Sequence, residues 1–288
     1  MEVPSPITFA RGLSDSLQPN RLRALKGLNV WMDKYGVGYP FTSLEIDQLW
    51  RALQLTLWMA DKRPVQQQVA AECVLFTRKV SCLVEWNRGF WYNIERIYET
   101  VDKFRVPKIH LLIRIYMSEL FHQLRSRNWD LECISALMSG ITSNVHKSVG
   151  AYIQLISVFV DELSLEIAPA TFSDIPSKAL AALLAPAFHT LEGGHPLSLI
   201  TQTVDKLFTN PKILNSSARD LVRQKIKFAA ISKKIEQDVR EVLCACLDTI
   251  DATPVVEQTT THMVVTPLVK AKNLVKKPIK KTVKRVVV

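Results

Sequence analysis

The chain has 288 residues, of which 48% are hydrophobic and only 9 are glycine, and this composition excludes a largely disordered protein. Its formal net charge is +10 at pH 7, but a run of eight basic residues near the C-terminus supplies most of that charge. Removing these eight from the 37 Lys and Arg residues leaves 29, against 27 Asp and Glu, so the rest of the chain is close to neutral.

The hydrophobic pattern predicts one helix after another. From Asn20 to Tyr35, apolar side chains recur every three or four residues, which is the spacing of one helical face. Thr42 and Glu45 have the spacing of a capping box, so a second helix is predicted to begin there. Further helices are predicted over 85–98, 131–145, 149–165, 177–191, 197–208 and 217–250, the last with a break near Ile231. No window shows the sustained alternation that is typical of a strand.

One segment, from Ile109 to Leu124, is apolar on nearly every helical face, and a helix of this kind is usually buried among other helices. Pro107 suits the first turn of this helix, where its missing N–H does no harm. Asn128 is predicted to be the N-cap of the next helix. We expect Trp91 and Trp129 to be largely buried around this central helix.

So many helices joined by short turns predict an all-α fold of stacked helical hairpins, a HEAT-like α-solenoid. Trp50, Trp91 and Trp129 lie 41 and 38 residues apart, within the range of a hairpin repeat of roughly 40 residues. The predicted domains are an all-helical repeat-like domain over 1–252 and a basic tail over 253–288. Prolines interrupt the basic tail, so it is predicted to be extended or disordered.

The sequence offers no catalytic or metal-binding constellation. The five cysteines are scattered and no apolar signal segment precedes them, so free thiols in a reducing compartment are expected. Cys244 and Cys246 would point to nearly opposite sides of a helix, so one packed and one more exposed thiol are predicted. We expect no enzyme, a nuclease included, and no cofactor, metal ion or small-molecule substrate. No apolar run is long enough to span a bilayer, so no membrane partner is expected.

Two clusters of charged residues fall between predicted helices and are candidates for a partner-binding edge. Loops held on a rigid scaffold commonly carry recognition, although a solvated turn is about equally compatible with the pattern. The candidate partner-binding residues are Asp61, Lys62, Arg63, Asp102, Lys103, Arg105 and Lys108.

The basic tail is the candidate RNA-binding segment, because dense basic runs are typical of nucleic-acid contact and also of nuclear import. Apolar residues are interleaved with the charges, so insertion along a protein or an RNA groove remains an alternative, as does a solvated tail without a partner. The candidate RNA-binding residues are Lys270, Lys272, Lys276, Lys277, Lys280, Lys281, Lys284 and Arg285.

Two ordered motifs resemble a known family. The first runs from Leu49-Trp50 through Leu57-Trp58-Met59-Ala60-Asp61-Lys62-Arg63-Pro64-Val65-Gln66. The second comprises Phe90-Trp91, Val101-Asp102-Lys103-Phe104-Arg105, Lys108, Leu112-Ile113-Arg114 and Trp129. Together they resemble the ribosomal RNA-processing protein one family, of the nucleolar Nop/Rrp type. Where that family tends to have Leu-Asp-Lys, this chain has Val106-Pro107-Lys108.

The resemblance implies an all-helical, non-catalytic assembly factor of the nucleolus. Its partners would be the large-subunit pre-ribosomal particle, the pre-ribosomal RNA, other assembly factors and ribosomal proteins. The leading hypothesis is therefore a scaffold needed for pre-rRNA processing, whose helical body binds partner proteins and whose basic tail binds rRNA. The competing hypothesis is a general nuclear α-helical adaptor whose tail is only an import signal.

Overall fold

The part of the chain that the structure describes consists of helices and the connections between them. A computed structural model describes residues 3–145, 147–167, 172 and 175–254. Its α-helices are α1 (Ala10–Leu13), α2 (Gln18–Trp31), α3 (Ser43–Trp58), α4 (Arg63–Leu75), α5 (Leu83–Tyr98), α6 (Val106–Ser126), α7 (Leu131–Val145), α8 (Val149–Glu166), α9 (Ser177–Leu183), α10 (Ala185–His189), α11 (Leu197–Thr203), α12 (Pro211–Leu214), α13 (Arg219–Ala230) and α14 (Gln237–Ala252). Short 3-10 turns cover Pro6–Phe9 and Phe76–Lys79, and π turns cover Met32–Gly36 and Val204–Phe208.

The helices are arranged in two layers. Helices α3, α5, α7 and α9 pack in succession in one layer, and α4, α6, α8 and α11 pack in succession in the other. The hairpins α3–α4, α5–α6 and α7–α8 therefore stack side by side, as the repeats of an α-solenoid do. The predicted all-α fold of stacked helical hairpins is confirmed.

Helix α6 is the buried centre that its all-round apolar pattern predicts. It lies between α4 and α8, and its apolar residues from Ile109 to Leu124 that face these helices are fully buried. Trp91 is 0% exposed and Trp129 is 8% exposed, so both predicted core tryptophans are confirmed. Pro107 lies in the first turn of α6, where a missing N–H costs no helical hydrogen bond.

A buried aromatic cluster joins α3, α5 and α6. The rings of Phe90 and Tyr116 are stacked at 3.6 Å, and the Trp50 and Trp86 rings lie 5.0 Å apart. Gly89 permits this close packing, because a Cβ atom there would lie 2.3 Å from a side-chain carbon of Ile46 on α3. Any larger residue at this position would push the two helices apart.

Two predicted helix starts have different outcomes. The capping box is confirmed, since the Glu45 N–H donates to the Thr42 hydroxyl and the Glu45 carboxylate accepts from the Thr42 N–H. Asn128 as the N-cap of the next helix is wrong. Asn128 and Trp129 have left-handed φ values of 53° and 57°, and the Asp130 carboxylate accepts from the Cys133 N–H at 2.7 Å instead.

The later part of the chain forms shorter helices than its hydrophobic pattern predicts. The single helix predicted over 177–191 is wrong, because α9 ends at Leu183 and α10 begins with Pro186 in its first turn. The break predicted near Ile231 is confirmed by the separation of α13 from α14. The cysteine prediction is also confirmed, with Cys246 buried and Cys244 exposed.

Two further predictions concern the membrane and the tail. Within the described residues, every helix is too short or too polar to cross a bilayer. Residues 255–288 lie outside the described part of the chain, so the domain boundary at 252 and the extended basic tail stay predictions.

Candidate partner-binding site

The two predicted charged clusters lie side by side at one end of the stacked hairpins. The α3–α4 loop and the α5–α6 loop are neighbours because α3 packs on α5 and α4 packs on α6. The Arg105 guanidinium lies 4.9 Å from the centre of the Trp58 ring, and the Lys108 ammonium donates to the Trp58 carbonyl at 2.7 Å. We call this surface, formed by Trp58, residues 61–63 and residues 102–105, the charged edge.

The α3–α4 loop presents its charges on a backbone that is held in place. The Gln66 side chain donates to the carbonyl oxygens of Ala60 and Asp61, each at 3.0 Å. Lys62 and Arg63 are exposed, and neither pairs with a carboxylate among the residues that the structure describes. These two cations are therefore open to a partner, and the local backbone does not need to reorganise to present them.

The α5–α6 loop is built around Asp102. Its carboxylate accepts from the backbone N–H groups of Phe104 and Arg105 at 2.9 and 3.2 Å, and it also pairs with the Arg105 guanidinium. Desolvation raises the pKa of Asp102, but the hydrogen bonds from Arg105 and Phe104 outweigh it, so the pKa lies below its ordinary value. Asp102 thus shapes the loop and remains a carboxylate at neutral pH.

The exposed tip of this loop is Lys103-Phe104. The Phe104 ring is 79% exposed, and the Lys103 ammonium lies 5.2 Å from its centre. A large exposed aromatic residue beside cations is a typical anchor of protein interfaces. The charged residues of this loop were predicted from the sequence and Phe104 was not, although an aromatic residue inside a charged interhelical loop is itself a signal.

Lys108 occupies a different place from the other candidate residues. It is only 9% exposed, and its ammonium group is bonded to the backbone of the neighbouring hairpin. Burial lowers the pKa of Lys108; Asp61 and Asp102 oppose this effect, and Arg105 adds to it. Lys108 therefore links the two hairpins beneath the charged edge, and its ammonium group is not open to a partner.

A groove of about 410 Å³ runs between α3 and α5 beside Trp58. Arg51, Gln54 and Arg96 line it. The Gln54 amide is 2% exposed, and its nitrogen has no hydrogen-bond partner among the described residues. Arg96 makes a loose ion pair with Asp47, at 3.7 Å, and its guanidinium lies 5.3 Å from the centre of the Tyr92 ring. Two guanidinium groups, from Arg51 and Arg96, and one carboxylate, from Glu99, thus line the groove. Guanidinium groups suit a peptide segment that carries carboxylates or free carbonyl groups.

These groove residues were not among the candidates predicted from the sequence. Arg51, Gln54 and Trp58 recur at spacings of three and four, which places them on one face of α3. Polar residues on one face of a largely apolar helix were the signal that could have found the groove. The α5 side of the groove cannot be predicted from a local pattern. Arg96 comes to lie beside α3 only because the two hairpins stack.

The family model described as "Nucleolar protein, Nop52" matches residues 5–271, which is nearly the whole chain. The chain belongs to the Nop52 family. The resemblance drawn from the two sequence motifs is thereby confirmed. These two motifs also meet in space, since the charged edge takes Trp58 from the first motif and Arg105 from the second.

Several relatives carry the name "Ribosomal RNA processing protein 1 homolog". The protein of Drosophila melanogaster is 26% identical over 173 residues, which cover 57% of this chain and 25% of that protein. Homolog A of Mus musculus is 25% identical over 173 residues, covering 56% of this chain and 35% of that protein. Homolog A of Homo sapiens is 25% identical over 185 residues, covering 57% and 38%. The matched part thus spans well under half of each relative.

The eight predicted RNA-binding residues of the basic tail lie outside the described part of the chain. Their role therefore stays a prediction that rests on charge alone.

Proposed function

We propose that this chain is a non-catalytic ribosome assembly factor of the nucleolus, a scaffold on large-subunit precursors that is needed for pre-rRNA processing. Membership of a family described as nucleolar carries the proposal. The name that its relatives share supports the link to ribosomal RNA processing. The stacked hairpins support a scaffold, because a rigid two-layer body can hold several partners at fixed distances.

In this proposal the charged edge is the docking surface for partner proteins, which are other assembly factors and ribosomal proteins. Phe104 supplies an apolar anchor, and Lys62, Arg63 and Lys103 supply positive charge around it. The neighbouring groove suits an acidic or extended segment of the same partner, since the guanidinium groups of Arg51 and Arg96 line it. The basic tail contacts the rRNA of the particle.

Sedimentation of the tagged full chain on a gradient tests this function. We expect the protein to migrate with large-subunit precursors, which are detected by probing the same fractions for precursor rRNA. The control is an unrelated helical protein that carries the same tag and the basic tail. Slow migration of the tagged chain, away from every precursor, would contradict the assembly role and favour a nuclear adaptor whose tail is only an import signal.

A further inference from the structure

The near-neutral charge of the helical body conceals a strong segregation between its last two long helices. Residues 212–234, which include α13, contain seven Lys and Arg residues and one Asp. Residues 236–251, in and just before α14, contain five Asp and Glu residues and one Arg. A single net charge for the body averages these two segments and hides the excess of positive charge in residues 212–234.

The basic residues of α13 and of the turn that follows it divide into two groups. Arg219 and Arg223 are used to hold α14, because Arg219 donates to the Ile250 carbonyl at 2.6 Å and Arg223 pairs with Asp251 at 2.6 Å. The ammonium groups of the second group pair with no carboxylate within 4.0 Å among the described residues. This second group comprises Lys225, Lys227, Lys233 and Lys234.

Two large apolar side chains stand among these lysines. Phe228 is 73% exposed and Ile231 is 69% exposed, and residues three apart are neighbours on a helix surface. The Lys225 ammonium is turned toward the Phe188 ring on α10, at 5.9 Å from its centre. Lys225 and Lys227 lie two residues apart and therefore point to the two sides of Phe228, and Lys233 and Lys234 follow in the turn after α13. We call this end of α13, with the four unpaired lysines, Phe228 and Ile231, the basic helix face.

We propose that the basic helix face is a second nucleic-acid surface, on which Phe228 stacks with an unpaired base of RNA while the lysines contact phosphates. An exposed aromatic ring amid positive charge is the arrangement with which proteins bind single-stranded nucleic acid. This proposal goes beyond the function proposed above, in which RNA is bound by the tail alone.

The exposed ring among the lysines favours single-stranded RNA over an acidic protein as the occupant. An unpaired base can stack on Phe228 while the phosphates on either side of it reach the lysines, whereas an acidic patch on a protein supplies carboxylates without a base to stack.

The test is a salt series with the full chain and a single-stranded RNA oligonucleotide of mixed sequence. One variant carries Lys227→Glu, Lys233→Glu and Lys234→Glu. The control carries Arg23→Glu, Lys26→Glu and Lys178→Glu, which make the same charge change at exposed positions elsewhere. Three lost phosphate contacts should make the slope of log affinity against log salt less steep by about 2, and the control should keep the wild-type slope.

Phe228→Ala tests the stacking separately, with Leu165→Ala as a control because Leu165 is equally exposed, at 72%. We expect Phe228→Ala to weaken RNA binding about tenfold at every salt concentration without changing the slope. If both sets of variants bind RNA as their controls do, the basic helix face is not an RNA surface. In that case the assembly role, which is judged by sedimentation, would stand unaffected.

Discussion

The ammonium group of Lys108, in the first turn of α6, donates a 2.7 Å hydrogen bond to the carbonyl of Trp58, the last residue of α3. The last carbonyl groups of a helix have no partner within the helix, and they carry the negative end of its dipole. A buried lysine at the start of the second helix of one hairpin therefore satisfies the end of the first helix of the neighbouring hairpin. The bond holds the backbone of Trp58, whose ring lies 4.9 Å from the Arg105 guanidinium.

Replacement of Lys108 should loosen the two hairpins. We expect Lys108→Met to lower the free energy of unfolding by about 1.5–3 kcal/mol, because it removes a charged donor and leaves a carbonyl without its partner. The matched control is Lys103→Met, at an exposed position in the same loop, which should cost less than about 0.5 kcal/mol. Urea unfolding measures both. Equal stability of the two variants would show that the bond has no structural role.

Trp91 should carry a large part of the core stability. Its ring is fully buried and its indole N–H donates to the Asn87 side chain at 3.1 Å. We expect Trp91→Ala to cost about 3–5 kcal/mol through lost burial and the cavity that remains. Tyr92→Ala is the control, because Tyr92 is the next residue in the chain and its side chain is 42% exposed. A Trp91→Ala protein with the thermal stability of wild type would rule out the packing described here.

The parts of the fold that were predictable depend on short-range patterns. The capping box at Thr42 and the buried helix around Ile113 can each be predicted from a short stretch of sequence. For the helix, the apolar residues that recur with the 3.6-residue period show which faces are buried. The meeting of Trp58 with Arg105 depends on the stacking of two hairpins some fifty residues apart, and no local pattern contains it. The same holds for the groove and for the charge segregation between α13 and α14.

The misplaced helix start shows a different limit. Asn128 and Asp130 are both good N-cap residues, and the sequence alone does not choose between them. The chain uses Asn128 for a left-handed turn, which asparagine tolerates better than most residues, and leaves the capping to Asp130. That choice is made by the burial of Trp129, since the turn brings its ring into the core.

Glu45 should make the free energy of unfolding depend on pH in the acidic range. Its carboxylate accepts from the Thr42 N–H at 2.9 Å and from the hydroxyl groups of Tyr39 and Ser5, each at 2.7 Å. Burial raises the pKa of Glu45, but these hydrogen bonds together lower it below its ordinary value. The pKa of Glu45 is thus lower in the folded state than in the unfolded state. Its contribution to stability is fully present when the pH is above the unfolded-state pKa, and it is lost as the pH falls through the folded-state pKa.

Glu45→Gln should therefore cost about 1–3 kcal/mol at pH 7 and should be less sensitive than wild type as the pH falls below about 4. Urea unfolding at pH 7 and across the acidic range measures this, with the exposed Glu132→Gln as control. A Glu45→Gln protein whose stability falls with pH in parallel with wild type would show that Glu45 does not supply the acid dependence.

The charged edge should control association with the particle. Lys103→Glu with Arg105→Glu reverses two cations of the exposed loop, so we expect a folded protein that no longer migrates with large-subunit precursors on a gradient. Arg23→Glu with Lys26→Glu is the matched control, because it makes the same charge change at exposed positions of α2. Normal particle association of the soluble, helical loop variant would mean that the loop is only a solvated turn.

The basic tail should supply most of the salt dependence of RNA binding. Eight positive charges lie within sixteen residues, from Lys270 to Arg285, whereas the rest of the chain is close to neutral. If all eight contact phosphates of single-stranded RNA, log affinity falls with log salt at a slope of roughly −5 to −6, from about −0.7 for each neutralised phosphate. Fewer contacts would give a proportionally smaller slope.

Truncation after Thr266 should remove this contribution, weaken nucleolar retention and leave the helical content unchanged, because every core residue of the described part of the chain precedes it. The measurement is RNA affinity of both forms across a salt series, with circular dichroism as the check on folding. The shallow slope that remains should be that of the basic helix face, and Lys227→Glu, Lys233→Glu and Lys234→Glu in the truncated protein should reduce it further. A truncated protein that keeps full affinity and the full slope would place the RNA site entirely on the helical body.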